Sequence, residues 1–300
     1  MELDGVYVPL VTPFEPGGGV DYPALERLAG DLLDGRAAGL VALGTTAEPA
    51  SLTAAEKSGV VATVAGVCRD RRAPLIVGAH NPGELAEAAA AGADAALTLV
   101  PPFVRPGEAG VVAYFEMLAA RTALPMVAYH VPYRTGQPLS AGGLRAIAAI
   151  DGVIGMKLAT GHVDGVTVEV LGDLPPGFRV LAGDDELLVP LLALGARGGI
   201  LASAHLATTA FAELVAAWRD RVRADELGVR LAALSRALFA APNPAVLKAV
   251  LHAHGRIASP MVRLPILPPP DPLVHAALAS ARRATPARPV ARRVAPVSAV

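Results

Sequence analysis

The chain has 300 residues, 53% of them hydrophobic and 18% charged, a mixture that can bury a large core and argues against intrinsic disorder. Its 26 basic and 27 acidic residues leave a formal net charge of -1, so the charge balance invites neither nucleic acid nor a membrane surface, and a small-molecule partner is expected. The single cysteine, Cys68, excludes an intrachain disulfide and a cysteine-built metal cage and points to a reducing compartment.

The chain opens on Met1-Glu2-Leu3-Asp4, acidic and with no apolar run and cleavage site behind it, so a cytoplasmic protein is expected. Short runs rich in Val, Ile and Leu then recur: Gly5–Pro9, Leu40–Leu43, Pro74–Val77, Ala95–Val100, Pro125–Tyr129, Val153–Lys157, Arg179–Ala182 and Gly198–Ala202. A longer segment with helix-start signals follows each. Thr53-Ala-Ala-Glu56 reads as a capping box, Asn81-Pro82 as a cap followed by a residue that needs no donor, and Ser140 as the cap before Leu144–Ile150. A further helix is predicted over Val163–Leu171. The longest apolar run, Leu187 to Ala196, is about half of the ~20 residues that a membrane span needs.

Strict alternation of continuously apolar strands with helices predicts a parallel sheet covered on both faces and joined by right-handed crossovers. A closed (β/α)₈ barrel over residues 1–222 satisfies this. An open doubly wound sheet is the rival, but Gly17-Gly18-Gly19 sits in a polar turn and makes no dinucleotide loop after the first strand. Beyond Arg221 the pattern is helical through Asp225–Ala240, Pro244–His254 and Pro272–Ala279, which predicts a C-terminal helical domain over 223–281. From Arg282, Ala, Arg, Pro and Val alternate without a period, and a disordered tail over 282–300 is expected.

In such a barrel the active site lies at the carboxyl ends of the strands, so polar residues that close apolar runs are the candidates. Four positions qualify: Thr45-Thr46, Tyr129, Arg134 and Lys157. Only three lysines exist. Lys57 belongs to the capped helix, and Lys248, in Val246–Leu251, is expected to lay its stem on apolar surface and reach solvent with its ammonium. Lys157 instead closes Val153-Ile-Gly-Met-Lys157, where burial would lower its pKa and free the amine to attack a carbonyl. A lysine paired with a carboxylate at the rim is the alternative, of equal weight on position alone.

Tyr129 has the chemistry of a proton-transfer group, although a tyrosine is more often a core aromatic with its hydroxyl on backbone. Thr45-Thr46 could bind a carboxylate or simply cap a turn, and Arg134 offers a planar fork for a carboxylate or a surface ion pair. The seven histidines lack metal-site spacing, so no metal or cofactor is expected.

Four ordered segments, Gly44-Thr45-Thr46-Ala47-Glu48, Tyr129-His130-Val131-Pro132-Tyr133-Arg134-Thr135-Gly136, Gly155-Met156-Lys157-Leu158-Ala159-Thr160-Gly161 and Gly183-Asp184-Asp185, carry a family resemblance. From about Gly5 to Ala279 the chain resembles the dihydrodipicolinate synthase / N-acetylneuraminate lyase group of class I aldolases. The resemblance implies a TIM barrel with a C-terminal helical domain, usually a homotetramer, acting on a 2-oxo acid, pyruvate above all, and an aldehyde. Lys157 would then form the Schiff base, Tyr129 relay protons and Thr46 link that relay onward. Thr45, Thr46 and the backbone near Ile200 would line the pyruvate pocket, and Arg134 would meet the aldehyde's carboxylate.

Departures from the family pattern read as changes of chemistry rather than packing. Phe103 stands where the synthases have a second relay tyrosine reaching across a subunit interface, Leu158 replaces a glutamate, His130 an asparagine and Ala47 a glycine. A dihydrodipicolinate synthase-like lyase is therefore the first expectation. A 2-keto-3-deoxy sugar acid aldolase or dehydratase, an N-acetylneuraminate lyase-like enzyme, or a barrel that binds keto acids without turnover are the alternatives.

Overall fold

A computed structural model of the chain describes residues 1–218 and 221–284. Eight strands close into a barrel of parallel neighbours: β1 (Gly5–Pro9), β2 (Gly39–Ala42), β3 (Leu75–Gly78), β4 (Ala95–Leu99), β5 (Met126–His130), β6 (Val153–Leu158), β7 (Arg179–Ala182) and β8 (Gly198–Ile200). Around and beyond them run α1 (Tyr22–Asp34), α2 (Ala54–Arg71), α3 (Pro82–Ala90), α4 (Gly107–Ala119), α5 (Pro132–Thr135), α6 (Ala141–Ala148), α7 (Gly165–Gly172), α8 (Leu188–Ala193) and α9 (Ala204–Ala216). The helices α10 (Arg221–Leu238), α11 (Ala245–Ala253) and α12 (Asp271–Ala284) complete the described chain.

The strands are continuously apolar because both faces are buried, as a barrel ringed by helices requires. Inward residues, Leu3, Tyr7, Val41, Ile76, Leu97, Val127, Tyr129, Leu181 and Ile200 among them, form one core inside the barrel. Residues of opposite parity, such as Met126, Ala128, Met156 and Leu158, join the larger core under the helices. Closure depends on the pairing of β1 with β8, Gly5 opposite Gly198 and Tyr7 opposite Ile200. The backbones meet so closely there that a Cβ on Gly198 would lie 1.8 Å from the Gly5 carbonyl oxygen.

Local chemistry starts the helices where expected. Thr53 and Glu56 form the reciprocal capping box of α2, Asn81 accepts from the Glu84 N–H ahead of α3, and Ser140 accepts from the Gly143 N–H ahead of α6. The helix predicted over Val163–Leu171 is α7, which starts two residues later because Asp164 takes the cap and accepts from the Thr167 N–H. β8 ends at Ile200, not Ala202. The expected division after residue 222 falls in the first turn of α10. Arg282 was expected to open a tail, yet α12 continues to Ala284, with Ala277, Ala281 and Ala284 buried at helical spacing. The rest of that stretch lies outside the described residues. Among the described residues no helix is long and apolar enough to cross a membrane.

Two buried histidines make stability depend on pH. At the start of α9, His205 Nδ1 lies 2.8 Å from the Ala202 carbonyl, and the Val11 N–H donates to Nε2 at 3.3 Å, so the proton sits on Nδ1 and the ring is neutral. Burial pulls its pKa down to about 3, and burial pulls that of His130 in β5, whose Nδ1 has no hydrogen-bond partner, to about 4. In the unfolded chain both titrate near ~6.5, so on acidification the unfolded state binds protons that the folded state refuses and stability falls, each ring contributing ~1.4 kcal/mol per pH unit. Buried Asp185, raised by burial to about 6, takes its proton first in the folded state and offsets one ring below that pH. Urea unfolding at about pH 7 and about pH 5 should show a net loss of ~2–3 kcal/mol; equal stability at both would contradict this assignment.

Candidate active site

Tyr129 and Lys157 are register partners across β5 and β6, both turned into the barrel. The lysine is 7% exposed, and its Nζ lies 4.3 Å from the centroid of the Tyr129 ring. Room for its stem comes from β7's end: a Cβ on Gly183 would sit 2.9 Å from Lys157 Cε and 2.8 Å from Ala159 Cβ. Burial pulls the Lys157 ammonium down to about 8, against the upward pull of the Asp185 and Asp184 carboxylates, while Arg134 adds a further downward push. Burial pushes the Tyr129 phenol up to about 12, with Arg134 and a hydrogen bond to Thr45 holding it back. At neutral pH the tyrosine is therefore a proton donor, and a small fraction of the lysine is a free amine.

The other motifs meet over this pair. Asp184 receives the Tyr133 hydroxyl on Oδ1 at 3.2 Å and the Gly161 N–H on Oδ2 at 2.7 Å, so one carboxylate ties together the loops after β5, β6 and β7. Asp185 is buried and accepts the Ser203 N–H at 2.6 Å, which joins the β7 and β8 ends. Arg134 is exposed at the mouth, its guanidinium 5.8 Å from the Tyr133 ring. Ile200 closes β8 in the same inner core as Tyr129. Thr45 is exposed in the turn after β2, whereas Thr46 is buried and its Oγ1 accepts from Asn243 Nδ2 at 2.9 Å. Tyr129's side-chain hydrogen bond thus goes to Thr45, and Thr46 is held from the C-terminal helices. Among the described residues no cluster of three or more His, Cys, Asp or Glu side chains could hold a metal ion.

The profile of the dihydrodipicolinate synthetase family matches residues 2–273. The chain belongs to this family. It is 38% identical over 275 residues to the 4-hydroxy-tetrahydrodipicolinate synthase of Methanothrix thermoacetophila, covering 89% of this chain and 92% of the relative. The enzyme of the same name from Neisseria meningitidis serogroup B is 36% identical, with 89% and 93% covered. Among solved structures, dihydrodipicolinate synthase from Thermotoga maritima superposes with a TM-score of 0.90 at 28% identity, over 95% of this chain and 99% of that one. The synthase from Acinetobacter baumannii, complexed with pyruvate, gives 0.87 at 33% identity, over 93% and 99%.

Against the pattern of the dihydrodipicolinate synthetase family, several departures move from chemistry to packing. Leu158 and His130 are paired in register on β6 and β5, and both side chains alternate away from the inward Lys157 and Tyr129, with Leu158 in the core under the helices. Ala47 is tolerated because the left-handed residue of the turn is Glu48, φ +56°, not Ala47. Phe103 is 90% exposed in this chain, at φ +67° in the loop between β4 and α4, and its N–H donates to the carbonyl of Thr135, the neighbour of Arg134, at 3.3 Å.

Lys248 does not reach solvent. It is completely buried, its Nζ 2.9 Å from Glu48 Oε1 and 3.9 Å from the centroid of the Phe14 ring. Burial pulls its ammonium down to about 8 against the pull of Glu48. Glu48, Asp184 and Asp185 stand in the motif segments without a role of their own, Lys248 was expected at the surface, and Asn243 was not singled out. One signal was present: Lys248 is the lone charge in an apolar run, the same feature that singled out Lys157.

Proposed function

We propose that this chain is a pyruvate-dependent class I aldolase-type lyase, a 4-hydroxy-tetrahydrodipicolinate synthase in which Lys157 carries the substrate as an imine. The observation that supports it most is a lysine buried at a strand end, its amine eased toward neutrality, against a tyrosine that stays protonated. The neutral Nζ attacks the C2 carbonyl, and a proton from Tyr129 leaves with the carbinolamine hydroxyl as water, giving the C=N bond. The Tyr129 phenolate left by that step takes a proton from C3, the C–H electron pair flowing into the protonated imine to give the enamine, whose C3 adds to the aldehyde carbon while the aldehyde oxygen takes the proton back. Hydrolysis then returns the amine. Thr45 and Thr46 take the carboxylate of the 2-oxo acid with the backbone near Ile200, and exposed Arg134 takes that of the aldehyde.

Incubation with pyruvate and borohydride should fix one reduced adduct on Lys157, read by peptide mass. Wild-type protein without label would end this reading. A second reading, another aldehyde or a sugar acid as substrate, is favoured by Phe103, whose phenyl ring carries no relay hydroxyl. Turnover of pyruvate with aspartate semialdehyde supports the first; cleavage of a 2-keto-3-deoxy sugar acid without it supports the second. We also propose a homotetramer, which would cover the exposed Phe103 and Val104; sedimentation as a monomer, the state of one synthase variant of the same fold, would refute it.

A further inference from the structure

The turn that carries Thr45 and Thr46 is gripped from beyond the barrel. Asn243, just before α11, donates to Thr46 Oγ1. Two residues along, Glu48 receives Lys248 Nζ from α11 on Oε1 and the Arg263 N–H on Oε2, the latter at 2.8 Å. The Arg263 guanidinium continues the grip, donating to the Ser51 carbonyl at 2.9 Å, to the Gly18 carbonyl at 2.7 Å and to Glu56. Its Cζ lies 4.3 Å from the Phe14 centroid, so one phenyl ring serves both cations.

As glue this is a poor bargain. Lys248 and Glu48 have side chains 0% and 1% exposed, and a well-packed apolar pair of similar volume generally stabilises a fold as much as such an ion pair. What an apolar pair cannot supply is direction. Glu48 holds a left-handed conformation that non-glycine residues seldom adopt, and two donors arriving from fixed angles keep its carboxylate, and with it the turn, in one place. On the other side of the turn, Thr46 Oγ1 already accepts the Asn243 N–H, so the hydroxyl proton must point elsewhere and is free for an acceptor in the pocket.

We propose that the buried Glu48–Lys248 pair and Asn243 are positioning residues, through which the C-terminal helical segment sets the Thr45–Thr46 turn to receive the carboxylate of the 2-oxo acid. This rests on the lyase reading above. Positioning and mere stability leave different marks on imine trapping by borohydride. A loss of folded protein lowers the maximal labelling of Lys157 and leaves the half-saturating pyruvate concentration alone; a displaced turn raises the half-saturation and leaves the maximum.

The test compares wild type, Asn243→Ala, and the double variant Glu48→Gln with Lys248→Met, which removes both charges together. Circular dichroism checks the fold, and labelling is titrated with pyruvate. Both variants should label Lys157 to the wild-type maximum, with half-saturation raised about tenfold in the double variant and severalfold in Asn243→Ala, as loss of directed contacts to a carboxylate site requires. Should the double variant fail to fold, Asn243→Ala, which touches only a half-buried amide, decides the matter alone. Half-saturation at the wild-type value in the folded variants overturns the proposal. Wild type that takes no label overturns the lyase reading, and this one with it.

Discussion

Lys157→Arg should lose the borohydride-trapped pyruvate adduct entirely and lower turnover by on the order of 10³-fold or more, because the covalent route disappears rather than weakens. Arginine keeps a positive charge for the Tyr129 face and the Asp184 and Asp185 carboxylates, so the variant separates nucleophile from counter-ion. In wild type the labelling rate should follow the free amine. With the ammonium lowered to about 8, the rate climbs nearly tenfold for each pH unit well below that value and levels off above it. An arginine variant with wild-type turnover would remove Lys157 from the chemistry, and a rate independent of pH below about 8 would mean that another step limits it.

Gly198→Ala should have the largest effect on stability. The added methyl would arrive 1.8 Å from the Gly5 carbonyl oxygen and 2.6 Å from its carbon, and backbone cannot rotate aside as a flexible side chain can. The β1–β8 seam would have to open, straining the hydrogen bond from the Gly5 N–H to the Arg197 carbonyl at 3.0 Å and the pairing of Tyr7 with Ile200. Overpacking of this severity should cost about 3 kcal/mol or more, measurable as a shift in the urea midpoint. A loss below about 1 kcal/mol would mean that the seam yields easily.

The barrel was legible because each strand is an uninterrupted apolar run and each helix begins with a side chain that answers a free N–H. Limits appeared where hydrophobicity has two causes. Leu201 and Ala202 are as buried as β8 itself but belong to the turn after it, so burial prolonged the predicted strand. The same ambiguity split the lysines. Lys157 and Lys248 each interrupt an apolar run, yet helical spacing at Lys248 admitted a stem on the surface, and only its partner, Glu48, 200 positions earlier, reveals a buried charge. Asn243 and Thr46 are likewise 197 positions apart. His130 and Leu158 were read as changes of chemistry because the resemblance matches positions along the chain, whereas the pleat decides which face each side chain takes.

The apolar filling of the barrel imposes an order of traffic on whatever reacts there. Leu3, Tyr7, Val41, Ile76 and Val127 close the interior on the amino-terminal side, and the Tyr7 hydroxyl is already spent on the Glu2 carbonyl at the far rim. Lys157 stands on that floor, buried, and Arg134 is exposed beyond the carboxyl ends of the strands. On the proposed lyase reading, a keto acid joined to Lys157 would have to enter before an aldehyde met by Arg134, and an aldehyde arriving first would obstruct its way in. Rising aldehyde should therefore inhibit at low pyruvate and cease to do so once pyruvate saturates: a kinetic sequence written by the plug of side chains that fills the far end of the barrel.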